Sequence, residues 1–331
     1  MTTPTAEIVI TVGYPGSGKG TYIKPLIAKG YRQFNRDGYG GTTAKEGSLI
    51  YQGARQAYDS GQRLFVFDNT YGTVAARAAV VAFAKSVSLP IRVLWLQTSL
   101  EQAQLFASRR QVQKYGKLFR KSDYKLAPYK GDPNMFPPGA QFAYRKRFEE
   151  PTLAEGFTAI ERVLVQTSWG SEYTKRAILI DLDGTVRVTP DEKVCPWPRN
   201  VDEVIILDGR KDLLQQRQKE GWLILAVTNQ SGVSRKPDDP KYVSEENVQA
   251  CIDATAKGLG ITFDGALFAT DRGGPPSSYW RKPCPGMGAV FIERFKLDPS
   301  RCICVGDMTS DRTFAERCGF KFAWAHEFFR G

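Results

Sequence analysis

The 331-residue sequence predicts two α/β domains in series, each a parallel β-sheet flanked by helices. Three observations carry that prediction. Short β-rich apolar runs alternate with helical stretches, the alternation restarts after residue 176, and in each half the first run ends in a tight polar turn. Those turns read "VGYPGSGKGTY" (12–22) and "LIDLDGTV" (179–186).

In the first half, "EIVITVGY" (7–14), "RLFVFDNT" (63–70) and "IRVLWLQT" (91–98) read as buried parallel strands. "TVAARAAVVAFAKSV" (73–87) and "SLEQAQLFASRRQVQKYG" (99–116) read as helices. The Pro/Gly-rich "DYKLAPYKGDPNMFPPGAQ" (123–141) predicts a loop or lid, and "FTAIERVLVQ" (157–166) a last strand. "TSWGSEYTKR" (167–176) is polar and aperiodic, so the expected boundaries are 1–167, a linker at 168–176, and 177–331. The second half predicts strands in "RAILIDLDGT" (176–185), "GWLILAVTNQSG" (221–232), "SRCICVGDMTSD" (300–311) and "FKFAWA" (320–325). Helical runs near 208–220, 245–258 and 286–296 separate them.

No apolar stretch approaches the roughly 20 residues that cross a bilayer, and the N-terminus lacks a basic leader, so a cytoplasmic protein without membrane contact is expected. The six cysteines form no C-x-x-C pair and are expected as buried free thiols. His326 is the only histidine, which leaves carboxylates, lysine, arginine and metal to carry any catalysis. The net charge of +11 is uneven. Residues 1–170 hold 23 Lys+Arg against 12 Asp+Glu, and residues 171–331 hold 23 of each, so the first half is expected to face a polyanion.

"GYPGSGKGT" (13–21) fits G-x-x-x-x-G-K between a strand and a helix. Glycines at that spacing let backbone N–H groups curl around phosphate oxygens at a helix N-terminus, with Lys19 reaching the β- and γ-phosphates. Gly13, Gly16, Ser17, Gly18, Lys19, Gly20 and Thr21 are therefore the expected phosphate cradle of a P-loop NTPase fold binding ATP and Mg²⁺. Gly20 stands where Ser or Thr usually meets the ion, and Thr21 is the nearest substitute. Asp37 follows a predicted second strand, and Asp68 and Asn69 end another, on the phosphate edge of the sheet. A helix N-cap is the alternative reading for either aspartate.

"NRD" (35–37), "DNT" (68–70), "LEQA" (100–103) and "YRKRFEEPTLAEGF" (144–157) resemble the kinase domain of the polynucleotide 5′-kinase/3′-phosphatase family. The resemblance implies transfer of the ATP γ-phosphoryl group to a 5′-OH polynucleotide end. It makes Asp37 the general base, Lys19 the phosphate clamp and Arg110 the lid arginine, with Arg109 its rival. Asp68, with Asn69 and Arg77, would bind the acceptor end. Tyr71 stands where the family has a second asparagine, Gly40 where phage members have an arginine, and "FAS" (106–108) replaces the asparagines of animal members. Apart from any family, residues 109–147 carry eleven Lys/Arg interleaved with Tyr115, Phe119, Tyr124, Tyr129, Phe136, Phe142 and Tyr144. Cations for a backbone and aromatic faces for bases suit a single strand, against the alternative of a solvated basic lid with core aromatics.

"DLDGT" (181–185) resembles the haloacid dehalogenase (HAD) superfamily, a Rossmann-like fold whose cap here has only residues 184–227 to form from. Two carboxylates two residues apart at a strand end can face one phosphate. The resemblance makes Asp181 the nucleophile that forms an aspartyl-phosphate and Asp183 the general acid/base. Thr228, with Asn229 beside it in "VTNQSG", would hold the phosphoryl group, and Lys282 in "YWRKPCPGM" would neutralise it. Asp307 and Asp311 would anchor Mg²⁺ with Asp181 and the Asp183 carbonyl. Arg187, Arg199, Arg210 and Arg235 are unranked candidate substrate contacts. "TNQSG" and "RKPCPGM" also occur in histidinol-phosphatase-like and sugar-bisphosphate members, several with a Cys/His zinc cluster before the lysine. "TDRGGPPSSYW" (270–280) has neither residue, and "FKFAWAHEFF" (320–329) is closer to the polynucleotide phosphatases.

The sequence therefore predicts healing of DNA or RNA ends, with a separate ligase downstream. The alternatives are a nucleoside or sugar kinase fused to a sugar-phosphate or histidinol-phosphate-like phosphatase, and a nucleic-acid-binding scaffold without kinase activity.

Overall fold

The computed structural model describes residues 4–39, 45, 48–127, 129–274 and 276–330; Gly40 lies outside them. The chain divides into two compact units, residues 1–107 with 132–167, and residues 108–131 with 168–331.

The first unit contains β1 (Glu7–Val12), α1 (Lys19–Ala28), β2 (Arg32–Phe34), α2 (Arg36–Tyr39), α3 (Leu49–Asp59), β3 (Leu64–Phe67), α4 (Val74–Ser86) and β4 (Ile91–Leu96). The start of α5 (Leu100–Tyr115), then α6 (Pro138–Arg147) and β5 (Ala159–Val163), complete it; from Ser108 onward α5 belongs to the second unit. The strands pair in parallel in the order β2-β3-β1-β4-β5. Every residue of β1 is buried because helices cover both faces of the sheet. Ile8, Ile10 and Val12 enter one core with Phe34, Phe65 and Phe67, while Val9 faces the other with Ile23 and Leu94.

The second unit contains β6 (Ala177–Ile180), the antiparallel pair β7 (Arg187–Val188) and β8 (Ile205–Ile206), α7 (Lys211–Lys219), β9 (Leu223–Asn229) and α8 (Glu245–Leu259). Then follow β10 (Gly265–Ala269), α9 (Gly286–Phe295), β11 (Ile303–Gly306), α10 (Thr309–Cys318), β12 (Lys321–Trp324) and α11 (Ala325–Phe328). The order β10-β9-β6-β11-β12 is again parallel throughout. The β7–β8 hairpin is the only β-structure among the described residues between Asp183 and β9, which makes the cap small. In each sheet the first strand of its unit lies at the centre, flanked by strands that continue to opposite sides. This is the topology that opens a crevice at the C-terminal strand ends.

The structure corrects several expected elements. Part of the expected 123–141 lid is helix α6, because Pro138 takes a first-turn position where proline suits a helix. The strand expected to run to residue 311 stops at Gly306, and Asp311 lies in the first turn of α10, accepting the Met308 N–H at 3.0 Å. β10 was not anticipated. The expected linker packs on the second unit: the Thr174 and Lys175 N–H groups donate to the Lys296 carbonyl, and Tyr173 Oη donates to Glu293 at 2.8 Å. All six cysteines are buried and free. Among the described residues no helix is long and apolar enough to cross a membrane.

Candidate active sites

The loop after β1 carries the first site. Gly16 and Gly18 have φ of +81° and +88°, and a Cβ at Gly16 would sit 3.0 Å from the Ala103 carbonyl oxygen. In front of Gly18 and Gly20 nothing lies within 4 Å of a Cβ position, so the loop faces open space. Lys19 folds back over it, Nζ donating to the carbonyls of Tyr14 at 2.7 Å and Gly13 at 3.2 Å. Ser17 is buried, its carbonyl accepting from Thr98 Oγ1 at 3.0 Å, and Gln141 Nε2 donates to the Pro15 carbonyl at 2.9 Å. Gly20 and Thr21 are exposed on the first turn of α1, where the Thr21 N–H donates to the Gly18 carbonyl at 2.9 Å. The cradle fits the phosphates of a nucleotide.

On the same strand-end edge, Asp68 is fixed by Thr11 Oγ1 at 3.1 Å and by Gln33 Nε2 at 3.0 Å. Asn69 accepts the Arg36 N–H at 3.1 Å, which ties it to the short helix bearing the exposed Asp37. Asn69 Nδ2 donates to Tyr71 Oη at 3.3 Å. Tyr71 is buried with φ +40°, a region asparagine enters more readily, so the departure at this position puts a strained aromatic behind Asn69. Burial pushes the Tyr71 hydroxyl well above the usual tyrosine range.

The second site lies at the end of β6. Asp181 Oδ1 accepts from Lys282 Nζ at 2.5 Å, and Asp181 Oδ2 lies 3.2 Å from Thr185 Oγ1. Lys282 Nζ also reaches Asp311 Oδ1 at 2.7 Å and the Val227 carbonyl at 2.8 Å. Burial opposes its charge, but Asp181 and Asp311 outweigh that and hold the ammonium above the usual lysine range. Carboxylate oxygens of Asp181, Asp307 and Asp311 lie within 4.8 Å of one another. Hard oxygen donors so grouped fit Mg²⁺. Gly184, at φ +82°, leaves the space: a Cβ there would lie 2.4 Å from Asp307 Oδ2. Burial pushes the Asp181 carboxyl up to about 7 against the pull of Lys282. Burial and then Asp311 raise Asp307. A divalent cation reverses that tendency.

Asp183 points to other partners. Arg187 Nε donates to it at 2.8 Å, Gln230 Nε2 at 2.6 Å and Thr228 Oγ1 at 3.3 Å. Gln230 is buried and also donates to Thr228 at 2.9 Å, so it organises both residues. Neither Gln230 nor Thr185 was expected. A glutamine after "TN" has no signature of its own, whereas Thr185 sits inside the quoted "DLDGT".

Four expectations are corrected. Arg77 is fully buried, bonded to Glu155 at 2.7 Å and to the carbonyls of Tyr71 and Glu149, so it braces α4 and reaches no acceptor. Both atoms of the Asn229 amide hold the Lys282 backbone, at 3.1 and 3.2 Å, so Asn229 positions the lysine and is not turned to substrate. Arg109 pairs with Glu293 at 2.6 Å and stacks 4.3 Å over Trp169, which removes it as a lid arginine; Arg110 is half-buried, its charge felt by Tyr279. The aromatics of 109–147 are not a row of open faces. Phe119 packs on Tyr129 at 4.6 Å and Tyr124 at 5.5 Å, Tyr144 packs on Tyr14 at 4.8 Å, and none of the seven is exposed. All the cations of that stretch except Arg109 and Arg110 are exposed, which is the basic-lid alternative.

Together these sites define a P-loop phosphotransferase unit joined to a HAD phosphatase unit. Residues 176–329 match the family described as polynucleotide kinase 3 phosphatase, and residues 8–127 match an AAA domain. The second unit is thus a HAD-type phosphatase domain and the first a P-loop kinase domain. It is 30% identical over 158 residues to the bifunctional polynucleotide phosphatase/kinase of Schizosaccharomyces pombe, covering 47% of this chain and 33% of that one. It is 30% identical over 145 residues to the D-glycero-beta-D-manno-heptose-1,7-bisphosphate 7-phosphatase of Pasteurella multocida, covering 41% and 73%. Among solved structures, a D,D-heptose 1,7-bisphosphate phosphatase from B. bronchiseptica complexed with magnesium and phosphate is 27% identical, covering 45% and 79%, with a TM-score of 0.39. A fungal RNA kinase is 12% identical, covering 51% and 80%, with a TM-score of 0.35.

Proposed function

We propose that the chain heals polynucleotide ends, phosphorylating 5′-OH termini in one unit and removing 3′-phosphates in the other. The observation that carries this is the pairing of two phosphate sites in one chain, the Lys19 cradle with Asp68 and Asn69 beside it, and the Asp181–Lys282–Asp311 cluster. Residues 271–281 favour a polynucleotide branch. Ser277 and Ser278 donate to Asp271 at 3.1 and 2.7 Å, Arg281 donates to its carbonyl, and the sequence there carries neither cysteine nor histidine.

ATP supplies the phosphoryl group in the first unit. Asp37 takes the proton of the 5′-hydroxyl, Asp68 and Asn69 orient the acceptor, and Lys19 neutralises developing charge; Arg110, which belongs to the second unit, is not assigned a part in this step. In the second unit Asp181 attacks phosphorus and forms the aspartyl-phosphate while Asp183 protonates the leaving 3′-oxygen. Asp183 then takes a proton from the water that hydrolyses the intermediate, with Thr228 and Lys282 holding the phosphoryl oxygens. Mg²⁺, held by Asp181, Asp307, Asp311 and the Asp183 carbonyl, supplies charge neutralisation when bound. The exposed cations of 109–147 attract the strand, and a ligase acts on the product. A sugar-phosphate phosphatase is the second reading, supported by the heptose-bisphosphate relatives. Incubation with ATP, Mg²⁺ and matched DNA and RNA oligomers bearing 5′-OH and 3′-phosphate, scored at both ends, tests the proposal. Turnover of sugar phosphates alone would refute it.

A further inference from the structure

The four arginines that sequence could not rank have different surroundings. Arg187 is buried in its ion pair with Asp183 at 2.8 Å, Arg199 pairs with Glu203 at 2.5 Å, and Arg235 with Asp239 at 2.7 Å. Each of those charges is already met by a carboxylate. Arg210 differs: among the described residues it makes no ion pair. Its Nε donates to the Thr185 carbonyl at 3.2 Å, its Nη1 to the Asp208 carbonyl at 3.0 Å, and the guanidinium lies 4.8 Å from the Phe329 ring centroid. Nη2 makes no hydrogen bond among the described residues.

Carbonyls satisfy N–H groups but do not pair the positive charge with a carboxylate. Burial lowers the pKa of Arg210 more than the nearby Asp208 raises it, so the carboxylate compensates the charge only in part. Such a group favours the arrival of an anion. Its location gives that anion an identity. The Thr185 carbonyl that holds Arg210 belongs to the residue whose hydroxyl lies 3.2 Å from both Asp181 and Asp307. Arg210 is therefore one hydrogen bond removed from the phosphatase centre.

We propose that Arg210 binds a second phosphate of the substrate, one chemically separate from the phosphate being removed, and so selects polyphosphorylated substrates over isolated monoesters. The two N–H groups on the unbonded Nη2 suit a phosphate, whose charged oxygens are strong acceptors. This rests on the end-healing reading, in which the second phosphate is the phosphodiester preceding the 3′-terminal nucleotide.

The rival explanation is a strut, with Arg210 only tying the start of α7 to the Thr185 turn. The two are separated by measuring kcat and KM of wild type, Arg210→Gln and Arg210→Lys. The substrates are thymidine 3′-monophosphate, a thymidine dinucleotide ending in 3′-phosphate, fructose 6-phosphate and fructose 1,6-bisphosphate. The expected result is about a tenfold fall in the dinucleotide-to-mononucleotide selectivity of Arg210→Gln, carried by KM, with partial recovery in Arg210→Lys. Its log–log salt dependence on the dinucleotide should be shallower by about 0.7, the loss of one single-strand phosphate contact. An equal loss on all substrates, or no loss on any, overturns the proposal. If wild type prefers the sugar bisphosphate to both nucleotides, the end-healing reading fails. The Arg210 proposal then stands only if Arg210→Gln lowers the bisphosphate-to-monophosphate ratio as well.

Discussion

Lys282 and Asp181 form a buried ion pair at the end of β6, Nζ lying 2.5 Å from Oδ1, with Asp311 closing the cluster at 2.7 Å. Two carboxylates thus meet one ammonium, and Asp307 lies close enough to complete a three-carboxylate group fit for a divalent ion. Removing one partner of a buried pair strands the others, at about 3–5 kcal/mol. Lys282→Met should therefore lower stability by that order in a urea titration and abolish 3′-phosphatase activity.

Asp181 also makes a pH-dependent contribution. Its carboxyl moves from 3.8 to about 7 on folding, so between those values the folded state binds the proton and the unfolded state does not. The stabilisation from this group is full below about pH 4 and is lost as pH rises through about 7. In EDTA, Asp181→Asn should flatten the decline in Tm across that window. An unchanged decline would show that Asp181 titrates normally. Added Mg²⁺ should raise the wild-type Tm at pH 7 and raise that of Asp181→Asn less.

Gln230 fixes the orientation of Asp183 and Thr228 through bonds of 2.6 and 2.9 Å. Gln230→Leu should lower phosphatase kcat about ten- to a hundredfold with little change in KM, because a misaligned acid loses transition-state rather than ground-state interaction. Single-turnover kinetics on a 3′-phosphate oligomer measures it. A rise in KM alone would assign Gln230 to substrate binding.

Gly184→Ala should weaken Mg²⁺ binding at least tenfold, since its Cβ would lie 2.4 Å from Asp307 Oδ2 and φ is +82°. Calorimetric titration with Mg²⁺ reads it directly, and affinity equal to wild type would place the ion elsewhere.

Arg77 makes the opposite kind of prediction. Its bonds to Glu155 and to the Tyr71 and Glu149 carbonyls are internal, so Arg77→Met should cost about 3–5 kcal/mol of stability. Any fall in 5′ phosphorylation should follow the folded fraction. A raised acceptor KM in fully folded protein would return Arg77 to the substrate.

What the sequence disclosed follows how local each cause is. The Gly16–Thr21 cradle and the Asp181/Asp183 pair are set by a strand, a turn and their own spacing, so both were legible. Gln230 meets Asp183 only because β9 runs beside β6, a contact across 47 positions that no short motif encodes. Arg77 misled for the same reason: its partner Glu155 lies 78 positions away. The aromatics of 109–147 were legible as a set, but their mutual packing was not, because alternation with cations suits an open face and a packed cluster equally.

Two independent sites acting on opposite ends of a strand would leave separable marks on one oligomer. An oligomer with 5′-OH and 3′-phosphate is given to wild type, Asp37→Ala and Asp181→Asn with ATP and Mg²⁺, and both ends are scored by mass. Asp37→Ala should still lose the 3′-phosphate and gain nothing at the 5′ end, while Asp181→Asn should do the reverse. Loss of both changes in either folded variant, or no change at either end with wild type, would rule out two separate end-healing sites.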